Sequence, residues 1–175
     1  MAAEVARGTG AELDVLVVRK LGVPSHPELA MGAIADIAGV VDVVTNDIVL
    51  NRLGIAPAAF DAVYRRELAE LRRRTDAYRA GRPTLDVTGR VVIVVDDGLA
   101  TGSTMRAAVA ALRRQRPRQL VVAVPVGARD TCQALDREVD AVVCALTPVP
   151  FHAVRDGYRD FSQTTDEEVL AALAP

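Results

Sequence analysis

The sequence predicts an α/β fold, a parallel sheet with helices on both faces and an excursion in its first half. Three observations carry this. Residues 91–95 read VVIVV, a continuous β-branched run suited to a strand buried on both faces of a parallel sheet. From there to residue 145, helical and strand patterns alternate. The chain has 175 residues, half of them hydrophobic, which is enough for one domain with a real core and too few for two ordinary ones.

Taken in order, residues 2–7 read as a short helix and 13–18 (LDVLVV) as a mostly apolar strand ending abruptly at Arg19 and Lys20. Gly22, Pro24, Pro27 and Gly32 then predict a mobile loop over 19–32. Residues 40–44 and 48–50 are short β-prone runs separated by Thr45, Asn46 and Asp47, the pattern of a hairpin-like ribbon, so about 19–50 reads as an excursion from the core. Pro57 opens a helix, and Phe60, Tyr64, Leu68, Leu71 and Tyr78 recur at helical spacing to about Tyr78 or Arg79. Its arginines are interleaved with Glu67, Glu70 and Asp76, which favours a solvated, salt-bridged face over a nucleic-acid patch. A turn at Gly81, Arg82 and Pro83 leads to the strand at 91–95, a helix over 104–115, a strand over 120–124, a helix over 129–137 and a strand over 141–145. Within the C-terminal segment, about 148–175, Thr165 and Glu168 have capping-box spacing, which predicts a last helix over 166–173.

A net charge of -2 and a pI near 5.7 exclude the broad basic surface that grips nucleic acid. Cys132 and Cys144 have no metal-ligand partner at short spacing and read as buried free thiols. Residues 1–10 lack the features of a secretory signal, and no stretch approaches the roughly 20 apolar residues that span a bilayer. A cytoplasmic protein without membrane or nucleic-acid partners is the expectation. Of 21 basic residues all but Lys20 are arginine, which draws attention to that one ammonium.

The informative segment is VVIVVDDGLATGSTM, residues 91–105. A buried strand delivers Asp96 and Asp97 to the C-terminal edge of the sheet, where ligands of open α/β sheets bind. Gly98 and Gly102 permit close backbone approach, and Thr101, Ser103 and Thr104 place hydroxyls beside the free amides of a helix N-terminus, a cradle for a phosphate monoester. The two carboxylates cannot favourably face that phosphate and suit neighbouring hydroxyls, as in a ribose diol. A Walker A loop would need Lys after Gly102, and no G-x-G-x-x-G is present.

This segment resembles the phosphoribosyl pyrophosphate loop of type I phosphoribosyltransferases, most closely that of adenine phosphoribosyltransferases. The resemblance implies transfer of ribose 5-phosphate from phosphoribosyl pyrophosphate to a nitrogen acceptor, with Ala100 to Thr104 on the 5-phosphate. It also implies Mg²⁺ near Asp96 and Asp97, held through water. Arg19 and Lys20, followed by Pro27 to Ile34, resemble the catalytic flexible loop of adenine and orotate phosphoribosyltransferases, so these cations would reach the pyrophosphate. Phe151 and Tyr158 lie where related enzymes place an aromatic over the base, although core packing suits them equally; His152 has no partner that would make it a catalytic base. Ala100 stands where hypoxanthine-guanine enzymes carry an Asp, which argues against a 6-oxopurine and leaves the acceptor open. The family's first core strand, with its pyrophosphate-binding loop, has no counterpart in these residues, so an earlier start of the natural polypeptide is expected. Two function classes follow: an active transferase, expected as a homodimer, or a non-catalytic or regulatory binder of phosphoribosyl pyrophosphate or a nucleotide monophosphate.

Overall fold

The computed structural model describes residues 1–37, 39–79 and 82–174; the expected turn at Gly81 lies outside them. Three strands, β4 Val91–Val95, β5 Gln119–Val126 and β6 Ala141–Leu146, form a parallel sheet in the order β4-β5-β6. The crossovers are α4 Ser103–Arg114 and α5 Arg129–Asp136, as the alternating pattern predicts. Alternate residues of β5, from Leu120 to Val126, are buried. They share one apolar cluster with Met105, Val109 and Leu112 of α4, Leu135 of α5, and Ala35 and Ile37 from the first half of the chain. α4 is therefore packed between two sheets.

The second sheet corrects the expectation of a mobile loop. β1 Val17–Val23, β2 His26–Ile37 and β3 Val40–Thr45 are antiparallel, so residues 19–32 are strand on both sides of a tight turn at Pro24 and Ser25. The glycines and prolines that suggested a loop serve the sheet. The register shifts at Gly22, where an added Cβ would lie 2.5 Å from Pro27 O, and at Gly32 it would lie 2.6 Å from Val44 O. Residues 48–50 are likewise not a strand. They lie in α2 Asp47–Arg52, whose first turn is capped by Asn46 accepting from Val49 N. α3 Pro57–Arg79 lays Val63 and Leu71 on Leu21, Met31 and Ile34 of this sheet. Its outer face carries the expected ion pairs, Glu70 with Arg73 at 2.8 Å and with Arg74 at 2.7 Å.

A further correction concerns residues 13–18. Only Val17 and Val18 lie in a strand, and that strand runs antiparallel with β2 instead of joining the parallel sheet. Residues 11–16 have no regular structure and are fastened by Asp14, which receives Arg79 at 3.3 Å and Leu85 N at 3.2 Å. The helix before them, α1 Ala2–Thr9, ends at Gly10 in the left-handed conformation, φ 71°. A cleft of about 620 Å³ separates this segment from β4. At the other end, a 3-10 turn Val154–Gly157 precedes α6 Asp166–Leu173, which has the predicted capping box of Thr165 and Glu168. No helix among the described residues is long and apolar enough to cross a membrane.

Candidate active site

The site begins where β4 stops. Asp96 N–H still donates to Ala123 O of β5, whereas the Asp97 N–H leaves the sheet and donates to Asp96 Oδ1 at 2.9 Å. Leu99, fully buried, then anchors the loop: its N–H donates to Val126 O at 3.0 Å and its carbonyl accepts from Ala128 N at 2.8 Å. Between this anchor and α4 only Ala100 and Thr101 are exposed before Gly102, at φ 71°, becomes the N-cap. No side chain caps the α4 N-terminus, so the amides of its first turn face the concavity of the loop with the helix dipole behind them. Thr101 and Ser103 hydroxyls lie 3.2 Å apart across the loop.

Both glycines are demanded by close contacts. A Cβ on Gly98 would lie 2.6 Å from Val154 Cγ1 and 2.8 Å from Val126 O. One on Gly102 would lie 2.8 Å from Thr131 Cγ2. Thr131 also donates its hydroxyl to Ala100 O at 2.7 Å, so the first turn of α5 holds the loop from outside.

Asp96 and Asp97 are half-buried. Burial pushes the Asp96 carboxyl above the ordinary carboxylate range, with the charge of Asp97 adding to the effect, and burial alone pushes up that of Asp97. A backbone amide offsets this in each case, that of Asp97 for Asp96 and that of Gly98 for Asp97, without cancelling it; a bound hydroxyl donor or cation would relieve both carboxylates further.

A family description, the phosphoribosyl transferase domain, matches residues 2–154. The chain belongs to the type I phosphoribosyltransferase family. A Mycobacterium tuberculosis protein named "Putative phosphoribosyl transferase Rv0571c" is 49% identical over 173 residues, 99% of this chain and 38% of that protein. The chain thus spans under two fifths of that relative's length. The "Bifunctional protein PyrR" of Chloroflexus aurantiacus is 36% identical over 136 residues, 74% of this chain and 66% of that protein. Among solved structures, that of TT1426 from Thermus thermophilus superposes with a TM-score of 0.81 at 39% identity, covering 98% of this chain and 79% of that one.

Within this phosphoribosyltransferase domain, the expected residues fall into three groups. Asp96, Asp97, Ala100, Thr101, Gly102, Ser103 and Thr104 form the one continuous turn described above. Arg19 and Lys20 lie on β1, and both line a second cleft with Thr104 and Arg66. Arg19 is already engaged, however, donating to Glu67 Oε2 through Nε at 2.9 Å and Nη2 at 2.6 Å. Burial would raise the Glu67 pKa, but the hydrogen bonds from Arg19 and Arg66 outweigh it and hold the carboxyl below its usual value. The third group is aromatic. Tyr158 packs against Phe161, with ring centres 5.1 Å apart, and donates its hydroxyl to Asp97 O, whereas Phe151 is half-buried.

Leu99, Thr131 and Val154 are missing from the sequence-based site, because each acts through a contact with a residue distant in the chain.

Proposed function

We propose that this domain binds phosphoribosyl pyrophosphate and transfers its ribose 5-phosphate to a nitrogen acceptor, a nucleobase, with release of pyrophosphate. The observation that carries the reading is the turn from Asp96 to Thr104, where two half-buried carboxylates adjoin an uncapped helix N-terminus. The 5-phosphate would lie on the amides and hydroxyls of Thr101, Ser103 and Thr104, and the ribose hydroxyls would donate to Asp96 and Asp97. Such a transfer passes through a cationic sugar, so the chain's part is to position the reactants and neutralise charge.

Mg²⁺ fits these residues. No cluster of three or more metal-ligating side chains occurs among the described residues, and Mg²⁺ ordinarily takes one or two carboxylates together with substrate phosphates. Asp96 and Asp97 would hold it through water, and when bound it supplies charge neutralisation on the pyrophosphate. Arg19 and Lys20 would face that same pyrophosphate from the neighbouring cleft once released from their present partners, Glu67 in the case of Arg19. Tyr158 or Phe151 would stack on the base. A cytoplasmic homodimer is part of this reading, with sedimentation as its check.

The test is incubation with radiolabelled phosphoribosyl pyrophosphate, Mg²⁺ and a panel of nucleobases. Labelled nucleotide from one base is the expected result; the absence of both turnover and calorimetric binding would refute the reading. The engagement of Arg19 by Glu67 favours a second reading, a regulatory binder, whose signature is Mg²⁺-dependent binding with no labelled product.

A further inference from the structure

The two cysteines take no part in the loop's chemistry, yet the fold brings them to one point beside it. Cys132 lies on α5 and Cys144 on β6. Gly127 passes between them: a Cβ there would lie 2.7 Å from Cys132 Sγ and 3.2 Å from Cys144 Sγ. Both sulfurs thus occupy the space that a side chain at Gly127 would take. Both are thiols in this structure. Burial first, and then the hydrogen bond with the Cys144 thiol, push the Cys132 thiol up to about 11. Cys144 in turn donates to Leu146 O at 3.2 Å.

Two further features suit this pair to a covalent bond. Access is graded: Cys132 is 8% exposed, whereas Cys144 is half-buried on a strand whose Val143 and Leu146 lie open to solvent. An oxidant therefore meets Cys144 first and finds Cys132 behind it. Removing both thiol hydrogens also strands no acceptor, because Leu146 O keeps the Gly127 N–H at 3.0 Å.

The same point touches the loop. Leu99 Cβ lies 3.2 Å from the added Cβ of Gly127, and the next amide, Ala128 N–H, donates to Leu99 O. Cys132 directly follows Thr131, whose hydroxyl holds Ala100 O and whose methyl bounds the space at Gly102. A disulfide, at about 2 Å between sulfurs, is shorter than any contact of two thiols. In a close-packed interior its closure cannot be absorbed locally, so the start of α5 moves and takes Thr131 with it.

We propose that Cys132 and Cys144 are a reversible disulfide pair, closed by a hydroperoxide, whose closure draws Thr131 off Ala100 and loosens the loop from Ala100 to Thr104. The Cys144 thiolate attacks the peroxide, the O–O bond breaks, and Cys144 becomes a sulfenic acid while the other oxygen leaves as water or an alcohol. The Cys132 thiol then attacks that sulfur. The S–S bond forms, the S–O bond breaks, and the oxygen leaves as water with the last thiol proton; each sulfur has given one electron to the peroxide. A small thiol reopens the bridge by exchange.

The bridge does not depend on what the loop binds, so its test begins without a ligand. Trypsin digestion of the peroxide-treated protein should yield residues 130–137 joined to 138–155 through Cys132 and Cys144. Cys132→Ser should instead leave a sulfenic acid on Cys144 that dimedone traps. In the bridged protein the Leu99 and Ala128 amides exchange hydrogen about tenfold faster, and dithiothreitol restores the slow rates. Affinity for ribose 5-phosphate falls about tenfold on oxidation of the wild type and stays constant in Cys144→Ser. Oxidation that ends in a sulfinic acid, or in links between two molecules only, would overturn the proposal, as would a bridged protein with unchanged exchange. If neither form binds ribose 5-phosphate while the bridge and the faster exchange are both seen, the phosphate cradle is refuted and the switch stands.

Discussion

Replacing Gly102 by Val tests whether the loop's shape, and not merely its composition, holds the phosphate. At φ 71° an L side chain costs about 1–2 kcal/mol, with a β-branched one at the upper end. The new Cβ would also lie 2.8 Å from Thr131 Cγ2, so Thr131 must move, and its hydroxyl bond to Ala100 O, worth about 1 kcal/mol, is strained or lost. The sum, about 2–3 kcal/mol, corresponds to a loss of affinity of roughly 30- to 150-fold if it falls on the bound geometry. Calorimetry with ribose 5-phosphate reads it directly. Gly89→Val is the control: it imposes similar strain at φ 69°, with nothing within 4 Å of the added Cβ, so it lowers stability and leaves affinity alone. A Gly102→Val protein that binds ribose 5-phosphate as tightly as the wild type would refute the assignment of the cradle.

Three other outcomes are expected. Asp96→Asn with Asp97→Asn weakens Mg²⁺-dependent binding by about 1–3 kcal/mol, roughly 5- to 150-fold, in calorimetry. Because burial raises both carboxyl pKa values in the folded state, their contribution to stability is full below the unfolded value near 4 and is lost as pH rises through the folded one. The double variant lacks this loss, so its melting temperature should gain on the wild type as pH rises from about 4; a constant difference would contradict the buried-carboxylate account. Glu67→Ala strands Arg19 and should cost about 2–3 kcal/mol in denaturant melts, discounted for the partial exposure of Arg19. Tyr158→Phe removes the donor to Asp97 O and should cost about 1 kcal/mol, a shift of about 2–4 °C in a chain of this size.

The parallel half of the fold was legible because its signals are local. The run at Val91–Val95 is uniformly β-branched, and α6 announces its first turn through Thr165 and Glu168. The antiparallel half was not. Gly22, Pro24, Pro27 and Gly32 carry the residue types of a loop, and only the partner strand reveals them as a bulge, a two-residue turn and a close approach. The run at 48–50 is β-branched enough to read as strand, but Asn46 accepting from Val49 N starts a helix there instead.

The candidate site divides along the same line. Asp96 to Thr104 is contiguous, so its residues and their order were visible as one motif, with the strand before and the helix after it. Arg19 was visible as a cation at a strand end, but its engagement depends on Glu67, 48 residues away on α3, which the sequence showed only as one acid of a charged face. The same separation hides Thr131, whose hydroxyl and methyl groups set the loop's shape from α5. A motif therefore states which groups are offered to a ligand, while long-range contacts decide which are free to meet it. Arg19 is the instance here: the charge that the motif assigns to pyrophosphate is held, in this conformation, by a carboxylate of its own chain.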